Sequence, residues 1–378
     1  MNILINAIPL LSPLTGVGQY VFNLVNSLKK IDPDNDYHYF YGTYISSEIR
    51  TEPSKIVTLA RKASFKRIIP YWLKYSIRRL NLKIPVSKRG ITLYHETNFI
   101  PVMHFGVPEI STIHDLSTLL YPETHPVERV KFFEKRFNKD IYDFDYIIAV
   151  SENTRRDMIR LSDYPKERII VIYEGYNERF CQYDNDTRAV TYLKGKGLPP
   201  KYILFVGTLE PRKNIEFLIR SYSGLEKRLR DEHPLLIVGS KGWYYEAIFR
   251  LVDDLNLQSN VHFLGYIPDE ELPLLYNGAS LFVYPSLYEG FGLPPLEAMA
   301  CGCPVITSDT SSLPEVVGAG GVMVNPRDES DLRERMEEVL TDEKTRIEMS
   351  EYGLQRAKRF SWDKCARETL QVYRRVVE

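Results

Sequence analysis

Short runs of β-branched and aliphatic residues recur along the chain between longer amphipathic stretches, and the runs do not alternate apolar with polar residues. No other feature restricts the fold as much. A strand with one wet face alternates, whereas a strand of a parallel sheet covered by helices on both faces reads as continuously apolar. The runs predict strands over 3–6, 37–41, 56–59, 91–95, 110–114, 146–150 and 169–172, then over 202–206, 235–238, 261–264, 281–284, 305–307 and 321–324. Strands spaced in this way by helical stretches make α/β layers. At 378 residues the chain also exceeds what one hydrophobic core organises, so two such domains are expected.

The polar stretch 177–201, with Asp-Asn-Asp at 184–186, Lys-Gly-Lys-Gly at 194–197 and Pro199-Pro200, reads as the boundary. The expected domains are 1–178 and 200–360, followed by a helix over 361–378 that opens on Ser361 as N-cap. A 44% hydrophobic and 26% charged composition is that of an ordinary soluble protein. Net charge is −1, so affinity for nucleic acid or membrane has to come from a local patch. Cys181, Cys301, Cys303 and Cys365 include no pair of CxxC motifs; they read as reduced thiols of a cytoplasmic protein, not a zinc site. The first residues read as a strand, without the basic leader and apolar core of a signal peptide. No run of 18 apolar residues is present to span a bilayer.

One segment departs from the average. Residues 55–90 contain no Asp or Glu, yet ten Lys or Arg fall within 61–89, interleaved with Phe65, Tyr71, Trp72 and Tyr75. Cations mixed with aromatics suit an anionic leaflet, where each adds about 1 kcal/mol. A helix packed by its apolar face, with its cations solvated, accounts for the same residues. A nucleic-acid surface is a third reading, without a recognised module to support it.

Chemistry concentrates at four places. Over 289–297 the chain reads Glu-Gly-Phe-Gly-Leu-Pro-Pro-Leu-Glu. Gly290 and Gly292 let backbone approach a ligand, and Pro294 and Pro295 suit a first helical turn. A helix starting near Leu293 would point free N–H groups into the loop, an anion site. Glu297 is expected in that first turn, where the dipole favours a carboxylate. A capping role alone would explain Glu297 but not Glu289 and both glycines. Over 205–214 the chain reads Phe-Val-Gly-Thr-Leu-Glu-Pro-Arg-Lys-Asn: a buried strand ending at Gly207, then Arg212 and Lys213 before a helix from about Asn214. On most loops such a pair is a solvated face. At the C-terminal end of a parallel strand it can instead neutralise a departing diphosphate without a divalent metal.

The third place is a strand ending in His114-Asp115, where the carboxylate would fix the tautomer of the imidazole. The fourth is the turn Gly16-Val17-Gly18 between the first strand and a helix. It matches a dinucleotide fingerprint weakly, because Val21 stands where the third Gly or Ala belongs. It reads as a phosphate- or sugar-facing turn.

With these motifs in this order the chain resembles the GT4 glycosyltransferases, which have the GT-B fold: two Rossmann-like domains facing across a cleft, with the C-terminal helix crossing back to the first. The likeness covers nearly the whole chain and is strongest over 203–325; it extends to the mannosyltransferase branch of bacterial O-antigen and capsule assembly. It implies that Arg212 and Lys213 hold the diphosphate of a nucleotide-sugar donor. Glu297 would bind ribose hydroxyls and Glu289 sugar hydroxyls, with N–H groups from Gly290 to Leu293, Phe291 and Gly292 included, on sugar and phosphate. His114 would sit under the donor sugar, Gly16 to Gly18 near the diphosphate beside Gly207, and Tyr266 and Ile267 at the base. Glu174-Gly175 departs from the Asn-Gly of many relatives. The implied reaction retains configuration by front-face attack, the diphosphate accepting the acceptor's proton, with no cofactor and no metal. The implied setting is cell-surface polysaccharide assembly on an oligosaccharide or polyprenyl-diphosphate acceptor at the cytoplasmic face of the membrane, with no nucleic acid involved. Competing readings are a UDP-sugar enzyme, an NAD-dependent oxidoreductase or epimerase, and a non-catalytic sugar-nucleotide-binding protein.

Overall fold

A computed structural model describes residues 1–12, 14–42, 44–51, 89–98, 106–183 and 187–378. The expected strand over 56–59 and the basic segment over 61–89, except Arg89, lie outside the described residues. The chain divides into two units: Met1–Pro122 with Val127–Gly175 and Trp362–Glu378, and Glu123–Pro126 with Tyr176–Ser361.

In the first unit the described strands are β1 (Asn2–Asn6), β2 (Asp36–Phe40), β3 (Ile45–Ser46), β4 (Leu93–Glu96), β5 (Glu109–Ile113), β6 (Tyr146–Ala149) and β7 (Ile169–Val171). They form one sheet in the order β3-β2-β1-β4-β5-β6-β7, parallel except for the β2–β3 return. Ile3, Leu4 and Ile5 are all fully buried, which is why β1 shows no alternation. The helix Gly16–Ile31 buries Tyr20, Val21, Leu24, Val25 and Leu28, a stripe of helical period, and packs against the C-terminal helix Trp362–Val377.

The second unit carries β8 (Ile203–Val206), β9 (Leu235–Val238), β10 (Val261–Gly265), β11 (Leu281–Tyr284), β12 (Val305–Ser308) and β13 (Val322–Val324). Their order is β10-β9-β8-β11-β12-β13, every pair parallel. This is the strand order of a Rossmann sheet, and the strand order reverses between β8 and β11. In the first sheet the corresponding reversal lies between β1 and β4. Crevices outside the C-terminal strand ends at such reversals are where α/β sheets take ligands.

The chain passes from the first unit to the second between Gly175 and Tyr176, at the start of the stretch 177–201, within which 187–196 form a helix packed on Leu272–Gly278. Ala189 and Leu193, four apart, bury one side of it, and the Tyr192 hydroxyl donates to Glu271 at 2.6 Å. With only one narrow apolar edge, the sequence looked wholly polar.

Candidate active site

The loop after β8 opens at Gly207, whose N–H donates to the Val238 carbonyl at 2.9 Å. It then makes a single turn, Pro211–Lys213, and Asn214 in the left-handed region (φ 57°) starts the helix Ile215–Ser223. The Asn214 amide donates to the carbonyls of Pro285 (3.1 Å) and Pro326 (2.9 Å), tying this loop to those after β11 and β13.

Arg212 and Lys213 were expected as loop cations; they are buried, 9% and 8% exposed, and paired. The Arg212 guanidinium donates to Glu210 at 2.8 Å and to the Tyr288 carbonyl at 2.6 Å, and lies 3.0 Å from Glu289 Oε2. Lys213 Nζ donates to Glu289 Oε1 at 2.6 Å and to the Tyr284 hydroxyl at 2.5 Å, and sits 5.0 Å from that ring's centroid. Glu289 therefore bridges both cations across the sheet reversal. Its burial would raise the carboxyl's pKa; the Arg212 and Lys213 charges outweigh that and hold it below the usual range.

From Glu289 the loop is fixed by the loop after β12. The Glu289 N–H donates to Ser311 Oγ at 2.9 Å, and Ser312 Oγ donates to the carbonyls of Glu289 (3.0 Å) and Phe291 (2.8 Å). Gly292, at φ 111°, turns the chain into the helix Leu293–Ala300; a Cβ there would lie 2.9 Å from Leu313 Cδ2. The left-handed conformation requires glycine. Pro294 and Pro295 occupy the first turn as expected.

Glu297 differs from expectation. It is the fifth helical residue, past the first turn, and the dipole does not hold its carboxylate. Half-buried, it accepts from the Tyr276 hydroxyl at 3.2 Å, and burial, then the Asp269 charge, push its carboxyl up to about 8. Asp269 belongs to the loop after β10 that also carries Tyr266, 49% exposed, and Ile267.

Glu210, Tyr284, Tyr276 and Asp269 were missed from sequence, since each is a common residue whose part depends on a long-range contact. Gly239 had a readable signal: β8, β9 and β10 all run into a glycine, at 207, 239 and 265. A Cβ on Gly239 would fall 1.8 Å from the Gly207 carbonyl oxygen, so these strand ends close together only with glycine.

In the first unit, β5 leads to His114, whose Nε2 donates to the Thr97 carbonyl at 2.9 Å and whose Nδ1 lies 3.2 Å from Glu174 Oε1. The Tyr20 ring meets it edge-on, centroids 4.7 Å apart. Asp115 was expected to fix the tautomer. Instead its Oδ1 accepts from the N–H (2.9 Å) and hydroxyl (2.6 Å) of Ser117, and the carboxylate at the imidazole is that of Glu174. Next-in-sequence neighbours at a strand end diverge, and β7 delivers Glu174 from the far side of β6. Gly16, Val17 and Gly18 form the first turn of Gly16–Ile31, so their N–H groups are the unpaired ones of a helix start. Beside that loop, at the sheet reversal, Asn6 Nδ2 donates to Glu96 Oε1 at 2.5 Å.

Two families match. The one described as Glycosyl transferases group 1 covers residues 194–356, and Glycosyltransferase Family 4 covers 14–180. O-antigen chain mannosyltransferase B of Escherichia coli is 34% identical over 382 residues, 99% of this chain and 100% of the relative. The serotype-specific mannosyltransferase WbdA of the same species is 36% identical over 284 residues; these are 74% of this chain and 35% of that longer protein. Among solved structures, sucrose-phosphate synthase from Thermosynechococcus elongatus is similar with TM-score 0.76 and 21% identity, over 100% of this chain and 99% of the other.

Proposed function

The chain belongs to the family 4 glycosyltransferases, with two Rossmann-like units of the GT-B fold, and we propose that it is a retaining α-mannosyltransferase using GDP-mannose. Its acceptor is an oligosaccharide or a lipid-linked saccharide of cell-surface polysaccharide assembly. The observation that carries the chemistry is the buried Arg212–Lys213–Glu289 cluster at the reversal of the second sheet. Mannose rests on the full-length likeness to an O-antigen chain mannosyltransferase.

Arg212 and Lys213 take the donor's diphosphate, held in place beforehand by Glu289 and Glu210. Preorganised cations in a buried site stabilise the charge that develops on the leaving group. Glu289 meets the sugar hydroxyls with the oxygen lone pairs its two cations leave. The N–H groups from Gly290 to Leu293 meet sugar and phosphate, and Glu297 accepts from the ribose. Tyr266 and Ile267 lie along the base. His114 lies under the sugar, with Gly16, Val17 and Gly18 near the diphosphate. As the C1–O bond breaks, the diphosphate accepts the proton of the attacking hydroxyl on the same face, and the sugar passes through an oxocarbenium-like state. The protein contributes placement and charge, with no covalent intermediate and no metal.

No helix among the described residues is long and apolar enough to cross a membrane. Approach to a lipid-linked acceptor falls to the cationic segment 61–89, acting peripherally on anionic lipid at the cytoplasmic face. The test is a panel of nucleotide sugars scored by transfer and by protection against thermal unfolding. GDP-mannose should exceed UDP-glucose and UDP-N-acetylhexosamines in both. Preference for a UDP donor would transfer the assignment to that class, and protection without turnover would indicate a binding protein.

A further inference from the structure

Glu174 is 3% exposed and directs Oε1 at His114 Nδ1, 3.2 Å away. The other ring nitrogen points at a carbonyl oxygen, that of Thr97 at 2.9 Å. A carbonyl offers no proton, so Nε2 must carry one. Nδ1 then faces a carboxyl group, and that contact is a hydrogen bond only with a further proton between the two. Whether written imidazolium–carboxylate or imidazole–carboxylic acid, the pair is neutral overall and both ring nitrogens are committed.

The surrounding groups leave this proton to the pair. Tyr20, edge-on to the ring, and Cys365, close to Glu174, are pushed well above their usual ranges by burial. His95, whose ring nitrogens meet Tyr373 (2.7 Å) and Thr112 (2.8 Å), is pushed down to about 3 by burial and then by His114. All three stay uncharged near neutrality.

We propose that Glu174 is the positioning residue of His114: it holds the proton on Nδ1 and so fixes one rotamer and one protonation state of the ring. The inference rests on the reading that His114 lies under the donor sugar. With its nitrogens taken, His114 offers the sugar a fixed ring edge instead of a free nitrogen, and its side chain keeps 15% of its surface exposed for that contact.

A double-mutant cycle with Glu174→Gln and His114→Asn, assayed with GDP-mannose, separates the possibilities. Losing one charge-assisted hydrogen bond should lower kcat about ten- to a hundredfold in Glu174→Gln, with donor KM within roughly threefold of wild type. On the His114→Asn background the same change should cost under about twofold, because Glu174 acts through the ring. Equal cost on both backgrounds overturns the proposal. So does a wild-type rate for Glu174→Gln when His114→Asn is impaired, which leaves the reading of His114 standing. A wild-type rate for His114→Asn removes that reading and the proposal with it. Nitrogen-15 NMR of the free protein needs no donor: a protected Nδ1 proton on His114 is expected in wild type and absent in Glu174→Gln. Its absence in wild type refutes the pairing.

Discussion

Replacing Glu289 by Gln strands the buried Lys213 and leaves Arg212 paired with Glu210, and its first effect is on stability. The carboxylate meets Lys213 at 2.6 Å and Arg212 at 3.0 Å, with all three side chains about a tenth exposed. Removing one partner from a buried ionic contact costs about 3–5 kcal/mol, since the remaining charge loses its compensation. A carboxamide keeps the volume and one acceptor, which places Glu289→Gln near 3 kcal/mol. In a domain of roughly 150–250 residues that corresponds to a fall in Tm of about 6–12 °C. Calorimetry of the full chain reads it, and Lys213→Met added to Glu289→Gln should recover part of the loss by removing the stranded cation. The carboxyl's pKa is depressed in the folded protein, so its contribution is present above the unfolded value and lost as pH falls through the folded one. The gap between wild type and variant should therefore narrow in acid. A Tm within about 2 °C of wild type at neutral pH would falsify the bridging role of Glu289.

Glu297 has the opposite linkage: its folded carboxyl is raised to about 8, so the native state keeps a proton the unfolded chain releases, and stability falls as pH rises from about 4.5 to 8. Glu297→Gln should flatten that slope in urea melts; identical slopes contradict the half-buried, protonated side chain. Activity should persist in excess EDTA because Arg212 and Lys213 supply the charge; a loss reversed by Mg²⁺ or Mn²⁺ counts against this. Co-sedimentation with anionic liposomes should fall with salt, given a Debye length of about 8 Å at physiological ionic strength. It should also fall when Lys66, Arg67, Lys74, Arg78 and Arg79 become Gln; no wild-type binding at low salt removes 61–89 from membrane function.

The architecture was legible because strands buried on both faces leave unbroken apolar runs. The run over 281–284 became β11 with the same bounds, and those over 202–206 and 305–307 shifted by one residue at an end. The helix 187–196 was missed because two buried side chains, Ala189 and Leu193, give too narrow a stripe to register. In the second unit the spacing singled out Arg212, Lys213, Glu289 and Glu297 as candidates but did not show their electrostatic state. That Glu289 would bridge the two cations, and that the Glu297 carboxyl would be raised, follow from burial and from contacts made across strands far apart in sequence. The His114 partner shows the same limit: adjacency suggested Asp115, and sheet order delivered Glu174 from sixty residues away.

Proton NMR of the product formed from GDP-α-mannose and an oligosaccharide acceptor, in the presence of EDTA, reads donor choice, metal independence and stereochemistry together. One new mannosyl residue with an α-anomeric linkage is expected. A β-linkage would contradict retention by front-face attack, and no product from GDP-mannose under conditions where a UDP-sugar is transferred would contradict the donor.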